Sequence, residues 1–97
     1  METYVILGNF TQEGIRNIRR APARIEDVRR RIEAAGGKLL GWHLTLGRYD
    51  FVAIAQVPDT ERAAALLLEI GSHGNVRTET LRALSEEEFR QVVKGLP

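Results

Sequence analysis

The chain has 97 residues, 43% of them hydrophobic, so it can build one modest core, and we expect a single domain over residues 1–97. It contains no cysteine, which excludes disulfides, thiolate metal ligands and a cysteine nucleophile. The 14 basic and 13 acidic side chains give a formal net charge of +1, which argues against a nucleic-acid partner.

The first residues predict a strand rather than a targeting segment. Residues 3–10 are nearly continuously apolar and rich in β-branched and aromatic side chains, which is typical of a central strand. No basic start, cleavage site or later run of membrane-spanning length accompanies them. We therefore expect a soluble, cytoplasmic protein without a membrane partner.

The next segment has helical spacing from Thr11 onward. Isoleucines and a valine recur on one side, while arginines and glutamates fill the other. Pro22 interrupts this stripe, and a kink or break is predicted there because proline has no amide hydrogen. The mixed charges favour a solvated, ion-paired helix face over an anion-binding surface. Gly36 and Gly37 then provide the backbone freedom that ends a helix.

Two strands joined by a tight turn follow. Residues 38–46 and 49–57 alternate in a strand-like manner, and the two residues between them suit a two-residue hairpin loop. Leu46 is then predicted to lie opposite Tyr49. The same alternation places Trp42, Tyr49 and Phe51 on the face that packs under the helices.

The last third of the chain predicts a helix, a strand and a short terminal helix. Asp59 can cap the first of these helices, which ends at one of two glycines, Gly71 or Gly74. Residues 75–84 read as a more polar strand. Ser85 and Glu88 have the spacing of a capping box at the start of the last helix.

This element order predicts an α+β domain of ferredoxin-like βαββαβ topology with a short C-terminal helix. The sheet is then four-stranded and antiparallel with the order 4-1-3-2, because the first and third strands are the most apolar and belong in the centre. A domain this small buries a limited share of its surface. We therefore expect a homodimer or higher homo-oligomer, formed through an apolar sheet face.

Three polar side chains are predicted to share the sheet face that no helix covers. Thr45 lies opposite Asp50 in the predicted hairpin, His43 is one diagonal step away, and Asn9 on the first strand could join them. One hypothesis is a ligand pocket, or a catalytic pair in which His43 moves protons and Asp50 orients it. A structural role is favoured, since an aspartate beside a tight turn commonly binds backbone amides or an adjacent threonine.

No pattern indicates a metal or a cofactor. His43 and His73 are the only histidines, and they lie on different predicted elements without metal-ligand spacing. The Gly36-Gly37 pair follows a helix rather than a strand, so it does not form a phosphate-binding loop. His73 is interpreted first as a residue of a helix end.

Residues 44–52, LTLGRYDFV, resemble the signature of the GYD family, which is named for its glycine, tyrosine and aspartate. Here these are Gly47, Tyr49 and Asp50, with an arginine between the glycine and the tyrosine. Further matches lie at residues 14–15, 21–24, 36–37 and 74–83, so the resemblance covers essentially the whole chain.

The resemblance implies a dimeric α/β barrel, in which two ferredoxin-like sheets pack face to face. It implies little about function, since the family is one of uncharacterised proteins, and Gly47, Tyr49 and Asp50 carry over as signature positions rather than catalytic ones. Three hypotheses stay open: a homo-oligomeric small-molecule-binding or regulatory module with a pocket on the sheet face, a cofactor-free monooxygenase-like or isomerase-like enzyme, and a structural subunit without a ligand.

Overall fold

The computed structural model describes residues 1–97. Its elements follow in chain order: β1 (Glu2–Phe10), α1 (Gln12–Arg16), a 3₁₀ helix (Ile18–Arg20), α2 (Ala21–Ala34), β2 (Lys38–Leu44), β3 (Phe51–Val57), α3 (Thr60–Ser72), β4 (Val76–Ala83) and α4 (Glu86–Lys94). None of the helices combines the length and the hydropathy that crossing a bilayer requires.

The four strands form one antiparallel sheet in the order β2-β3-β1-β4. This is the predicted order 4-1-3-2 read from the opposite edge, and it confirms the α+β, ferredoxin-like arrangement. The two most apolar strands, β1 and β3, lie in the centre because only there are both edges of a strand paired and covered.

The first helical segment is interrupted just before Pro22, which confirms the predicted break. α1 ends at Arg16, a 3₁₀ turn follows, and α2 begins with Pro22 in its first turn. Proline is tolerated at that position because the first amides of a helix have no partner within the helix, and its fixed φ already suits the helix.

The predicted helix ends are also confirmed. The Asp59 carboxylate accepts a hydrogen bond of 2.8 Å from the Arg62 amide at the start of α3. At the start of α4, the Ser85 hydroxyl accepts from the Glu88 amide at 3.0 Å and the Glu88 carboxylate accepts from the Ser85 amide at 2.9 Å, completing the capping box. Gly36 and Gly74 adopt φ values of 87° and 80°, which side chains disfavour.

The connection between β2 and β3 is longer than predicted. From Gly41 opposite Ile54 to Leu44 opposite Phe51 the strands pair in the expected register, which shifts by one residue between Leu39 and Gly41. Residues 45–50 form an irregular loop instead of a two-residue turn. Leu46 is 97% exposed and does not pair with Tyr49. The prediction of a two-residue turn is wrong. Asp50 and Tyr49 hold this loop through hydrogen bonds to the distant strands β1 and β4, and strand alternation does not encode such contacts.

One face of the sheet packs under α2 and α3 and forms the core. Its buried cluster consists of Tyr4, Ile32, Leu39, Ala53, Ala55, Val57 and Ala63. Trp42 stacks on Phe51 with ring centroids 5.3 Å apart, which confirms that these two aromatic residues share the helix-covered face. The core is small, since only 11 of 97 residues are buried and no large side chain is fully buried.

α1 docks against the start of β4 through a glycine. A Cβ atom at Gly14 would clash with the backbone carbonyl oxygen of Asn75, which accepts a hydrogen bond of 3.0 Å from the Thr11 amide. We expect Gly14→Ala to lower the free energy of unfolding by about 1 to 3 kcal/mol, because the helix must move away from the sheet. Urea denaturation measures this change.

Gly71 in α3 is the matched control. A Cβ atom there meets nothing within 4 Å, and its φ is not positive. Gly71→Ala is therefore expected to leave stability unchanged or raise it by up to about 1 kcal/mol. Equal stability of the two variants would contradict the proposed docking of α1.

Candidate functional site

Asp50 joins the end of β1 to the start of β3. Its carboxylate accepts a hydrogen bond of 2.9 Å from the Phe10 amide, and its own amide donates to the Gly8 carbonyl at 2.8 Å. The Asp50 carbonyl in turn accepts from the Thr45 amide at 2.8 Å. The signature aspartate therefore satisfies backbone groups of β1 and of the β2–β3 loop, which supports the structural interpretation.

The two other signature residues shape the same loop. Gly47 has a φ of 131°, a conformation that residues with a side chain rarely adopt, so glycine is needed there. The Tyr49 carbonyl accepts a hydrogen bond of 2.7 Å from the Thr45 hydroxyl. Thr45 therefore contacts the backbone of the loop rather than the Asp50 carboxylate.

The Tyr49 side chain does not lie with Trp42 and Phe51, which corrects the predicted face. Its phenol donates a hydrogen bond of 2.8 Å to the carboxylate of Glu79 on β4. Glu79 pairs with Leu7 and so lies on the sheet face away from the helices. The bond to this carboxylate is the largest cause that raises the pKa of Tyr49, followed by partial desolvation and the Glu79 charge.

His43 and Asn9 lie on strands, and neither side chain forms a hydrogen bond within the chain. His43 is exposed on β2 opposite Val52, and Asn9 on β1 lies opposite Arg77. No hydrogen bond joins His43 to Asp50. The ligand-binding and catalytic roles of Asn9, His43, Thr45 and Asp50 stay predictions.

The sheet face away from the helices, here called the open face, has an apolar centre. Side-chain alternation assigns to it Val5 and Leu7 of β1, Val52 and Ile54 of β3, and Leu81 of β4. Charged side chains lie at its edges on β2 and β4, including Lys38, Arg77 and Glu79. No element of this chain covers the open face.

α4 presents a second uncovered apolar surface. Phe89, Val92, Val93 and Leu96 follow helical spacing, and each is about half exposed or more. α4 makes at most marginal contact with the rest of the chain. Its polar side carries ion pairs from Arg90 to Glu86 and Glu87.

These surfaces make the chain unusually open for its size. Its accessible surface is 6781 Å² for 10.9 kDa, whereas a compact monomer of that mass exposes about 5,600 Å². The difference of about 1,200 Å² exceeds the roughly 800 Å² that one partner contributes to a standard interface.

An apolar cavity lies on the other side of the sheet, between it and the helices α2 and α3. Its volume is about 210 Å³, and its walls include Ala53 and Ala55 of β3, Ile25 and Val28 of α2, and Leu66 of α3. None of the four predicted pocket residues lines this cavity. The alternating small side chains of β3 are the sequence signal for it, since alanines leave space beneath the helices.

Arg24 of α2 lines the cavity, a role that the sequence analysis missed. Neighbouring arginines form the expected surface ion pairs, such as Arg29 with Glu26 and Arg31 with Asp27. Arg24 instead forms no ion pair and donates from Nη1 to the Asn17 carbonyl at 3.0 Å. Its Nη2 is buried without a protein acceptor.

The topology, the Asp50 contacts at the end of β1 and the open face together define a ferredoxin-like α+β domain with one uncovered sheet face. Comparison with protein families assigns residues 4–93 to the GYD domain, and the chain belongs to the GYD family. It is also similar to the glutamine synthetase and cystathionine beta-lyase binding protein of Thermus thermophilus, with 32% identity over 85 residues, which is 87% of this chain and 90% of the relative.

Replacing Asp50 tests its structural role. Asp50→Ala removes the acceptor of the Phe10 amide, so we expect the free energy of unfolding to fall by about 1 to 3 kcal/mol in thermal or urea denaturation. Asp50→Asn keeps an acceptor oxygen and should lose less. His43→Ala is the control, since the exposed imidazole has no hydrogen bond. An alanine variant at position 50 as stable as the parent would rule out the structural role.

The Tyr49 contact predicts a pH effect at alkaline pH. Because its folded-state pKa lies above the ordinary value of 10.0, the contact stabilises the fold below that value and is lost as the pH rises through the folded-state pKa. Glu79→Gln should move the Tyr49 pKa back toward 10.0. Tyrosinate absorbance in a Tyr4→Phe background, which leaves one tyrosine, reports this titration. Superimposable curves with and without Glu79 would contradict the assignment.

Proposed function

We propose that this chain is a homo-oligomeric binding module that docks onto other proteins. The observation that supports this most directly is the uncovered apolar surface, which comprises the half-buried centre of the open face and the exposed side of α4, in a chain with a small core. Exposed apolar surface of this extent is typical of interaction sites in soluble proteins. A cytoplasmic location is part of the proposal.

A second copy of the chain is the proposed occupant of the open face. The centre of this face is apolar and its edges are charged, which is the usual anatomy of an interface. The surface in excess of a compact monomer is enough for a stable dimer. Pairing of two open faces corresponds to the dimeric α/β barrel expected from the sequence.

An enzyme is the proposed partner of the assembled module. The Thermus thermophilus relative is named as a binding protein for glutamine synthetase and cystathionine beta-lyase, and it matches this chain over most of both lengths. We extend this to enzymes of that kind as partners here. α4 is suited to docking, because an amphipathic helix can place its apolar side in a groove of a partner.

Small-molecule binding is the second candidate function, and the cavity beneath α2 and α3 favours it. Such a ligand would make the module a regulatory one. A cofactor-free enzyme with His43 and Asp50 as its catalytic pair has support from fold analogy alone, which is weak, since no hydrogen bond couples the two residues. The hypothesis of a purely structural subunit does not account for the cavity.

Sedimentation of the chain alone, and mixed with the glutamine synthetase and cystathionine beta-lyase of its own organism, tests the proposal. We expect a dimer or larger oligomer that co-sediments with at least one of the enzymes. Val52→Glu places a charge in the centre of the open face and should shift the oligomer toward monomer. Phe89→Glu on α4 should keep the oligomer and weaken enzyme binding at least about tenfold.

Gln91→Glu is the matched control, because it adds the same charge to α4 on the side away from Phe89. It should change neither assembly nor enzyme binding. A monomeric parent chain that binds neither enzyme would overturn the proposal. Binding weakened equally by both α4 variants would show that general charge, rather than the apolar side of α4, controls docking.

A further inference from the structure

We propose that the cavity beneath α2 and α3 binds a small apolar carboxylate, anchored by the Arg24 guanidinium. This inference concerns a site on the helix-covered side of the sheet. It does not depend on docking to another protein.

The size and the walls of the cavity favour a small apolar group. The cavity measures about 210 Å³, and 18 of its 25 lining residues are hydrophobic. An engineered cavity of about 150 Å³ lined by apolar side chains is large enough to bind benzene. The space here therefore suits one aromatic ring or a branched aliphatic group that carries a short polar extension.

Three lining polar groups that form no ion pair lie toward one end of the cavity. α2 begins, α3 ends and β4 begins at the same end of the sheet as Phe10, the last residue of β1. Arg24, His73 and Asn75 line the cavity from that end. The opposite end is lined by Leu39, Val57 and other apolar side chains. This polarity matches a ligand with one charged end and an apolar tail.

Arg24 is the charged group available to such a ligand. Asp27 and Glu69 also line the cavity, but each of these carboxylates pairs with Arg31. No carboxylate of the chain pairs with Arg24. The only hydrogen bond of its side chain is the one that Nη1 donates to the Asn17 carbonyl. The buried Nη2 of Arg24 has no protein acceptor, which is a costly state for a guanidinium donor.

A carboxylate is the best partner for the Arg24 guanidinium, because Arg24 lines the cavity and no carboxylate of the chain pairs with it. Guanidinium groups bind carboxylates through charge-assisted hydrogen bonds whose planar geometry fits both oxygens, and a low-dielectric wall strengthens the attraction. A neutral ligand would fill the apolar space without neutralising Arg24. Aromatic and branched aliphatic acids share the required chemistry, and the experiment distinguishes them.

Phenylacetate and isovalerate are the probes, with phenylacetamide as the uncharged counterpart. Trp42 is the single tryptophan and lines the cavity, so its fluorescence reports occupancy, and the melting temperature gives a second readout. We expect saturable binding of at least one acid, at least about tenfold tighter than binding of phenylacetamide. A preference for phenylacetate would assign an aromatic acid, and a preference for isovalerate a branched aliphatic one.

Arg24→Gln should weaken binding of the preferred acid at least about tenfold and leave the weak binding of phenylacetamide unchanged. Arg30→Gln is the matched control, because Arg30 is exposed on the same helix and does not line the cavity. It should bind like the parent chain.

Two results would overturn the proposal. One is the absence of any saturable change in both readouts with either acid at millimolar concentrations. The other is equal affinity of the parent and the Arg24→Gln variant for the acid. If Arg24→Gln does not fold, the comparison of the two ligands on the parent chain decides. Equal affinity for phenylacetate and phenylacetamide would show that the ligand's negative charge plays no part in binding.

Discussion

The sheet has two faces, and this chain supplies helices for only one of them. Covering one face of four strands leaves only 11 of 97 residues buried and an accessible surface well above that of a compact monomer. α4 does not cover the open face, since it makes at most marginal contact with the rest of the chain. The small core and the uncovered apolar surface are thus consequences of the same shortage of covering elements, and the proposed assembly would cover that surface.

The two sides of the sheet differ in what they can do. The open face is broad and apolar with charged edges, which suits another protein surface. The helix-covered side encloses a narrow space, because β3 contributes the alanines Ala53 and Ala55 where larger side chains would fill it. Arg24 adds an unpaired cation to that space. The proposed second copy and the proposed small ligand would therefore bind on opposite sides of the sheet.

The residues of the GYD signature hold or shape the β2–β3 loop in this chain. Gly47 permits the backbone turn, and Asp50 binds backbone groups at the end of β1. Tyr49 connects the same loop to Glu79 of β4. Asp50 and Tyr49 thus link the β2–β3 loop to the two strands beyond β3.

Local patterns were sufficient to predict the strands, their order in the sheet, the break at Pro22 and the caps at Asp59 and Ser85, because each depends on neighbouring residues or on strand hydropathy. The loop geometry was not predictable in this way. Asp50 binds an amide 40 residues away and Tyr49 a carboxylate 30 residues away, so only the assembled sheet decides those contacts. The cavity and the unpaired Arg24 likewise arise from tertiary packing, since helical periodicity marks an arginine as solvated whether or not another element covers it.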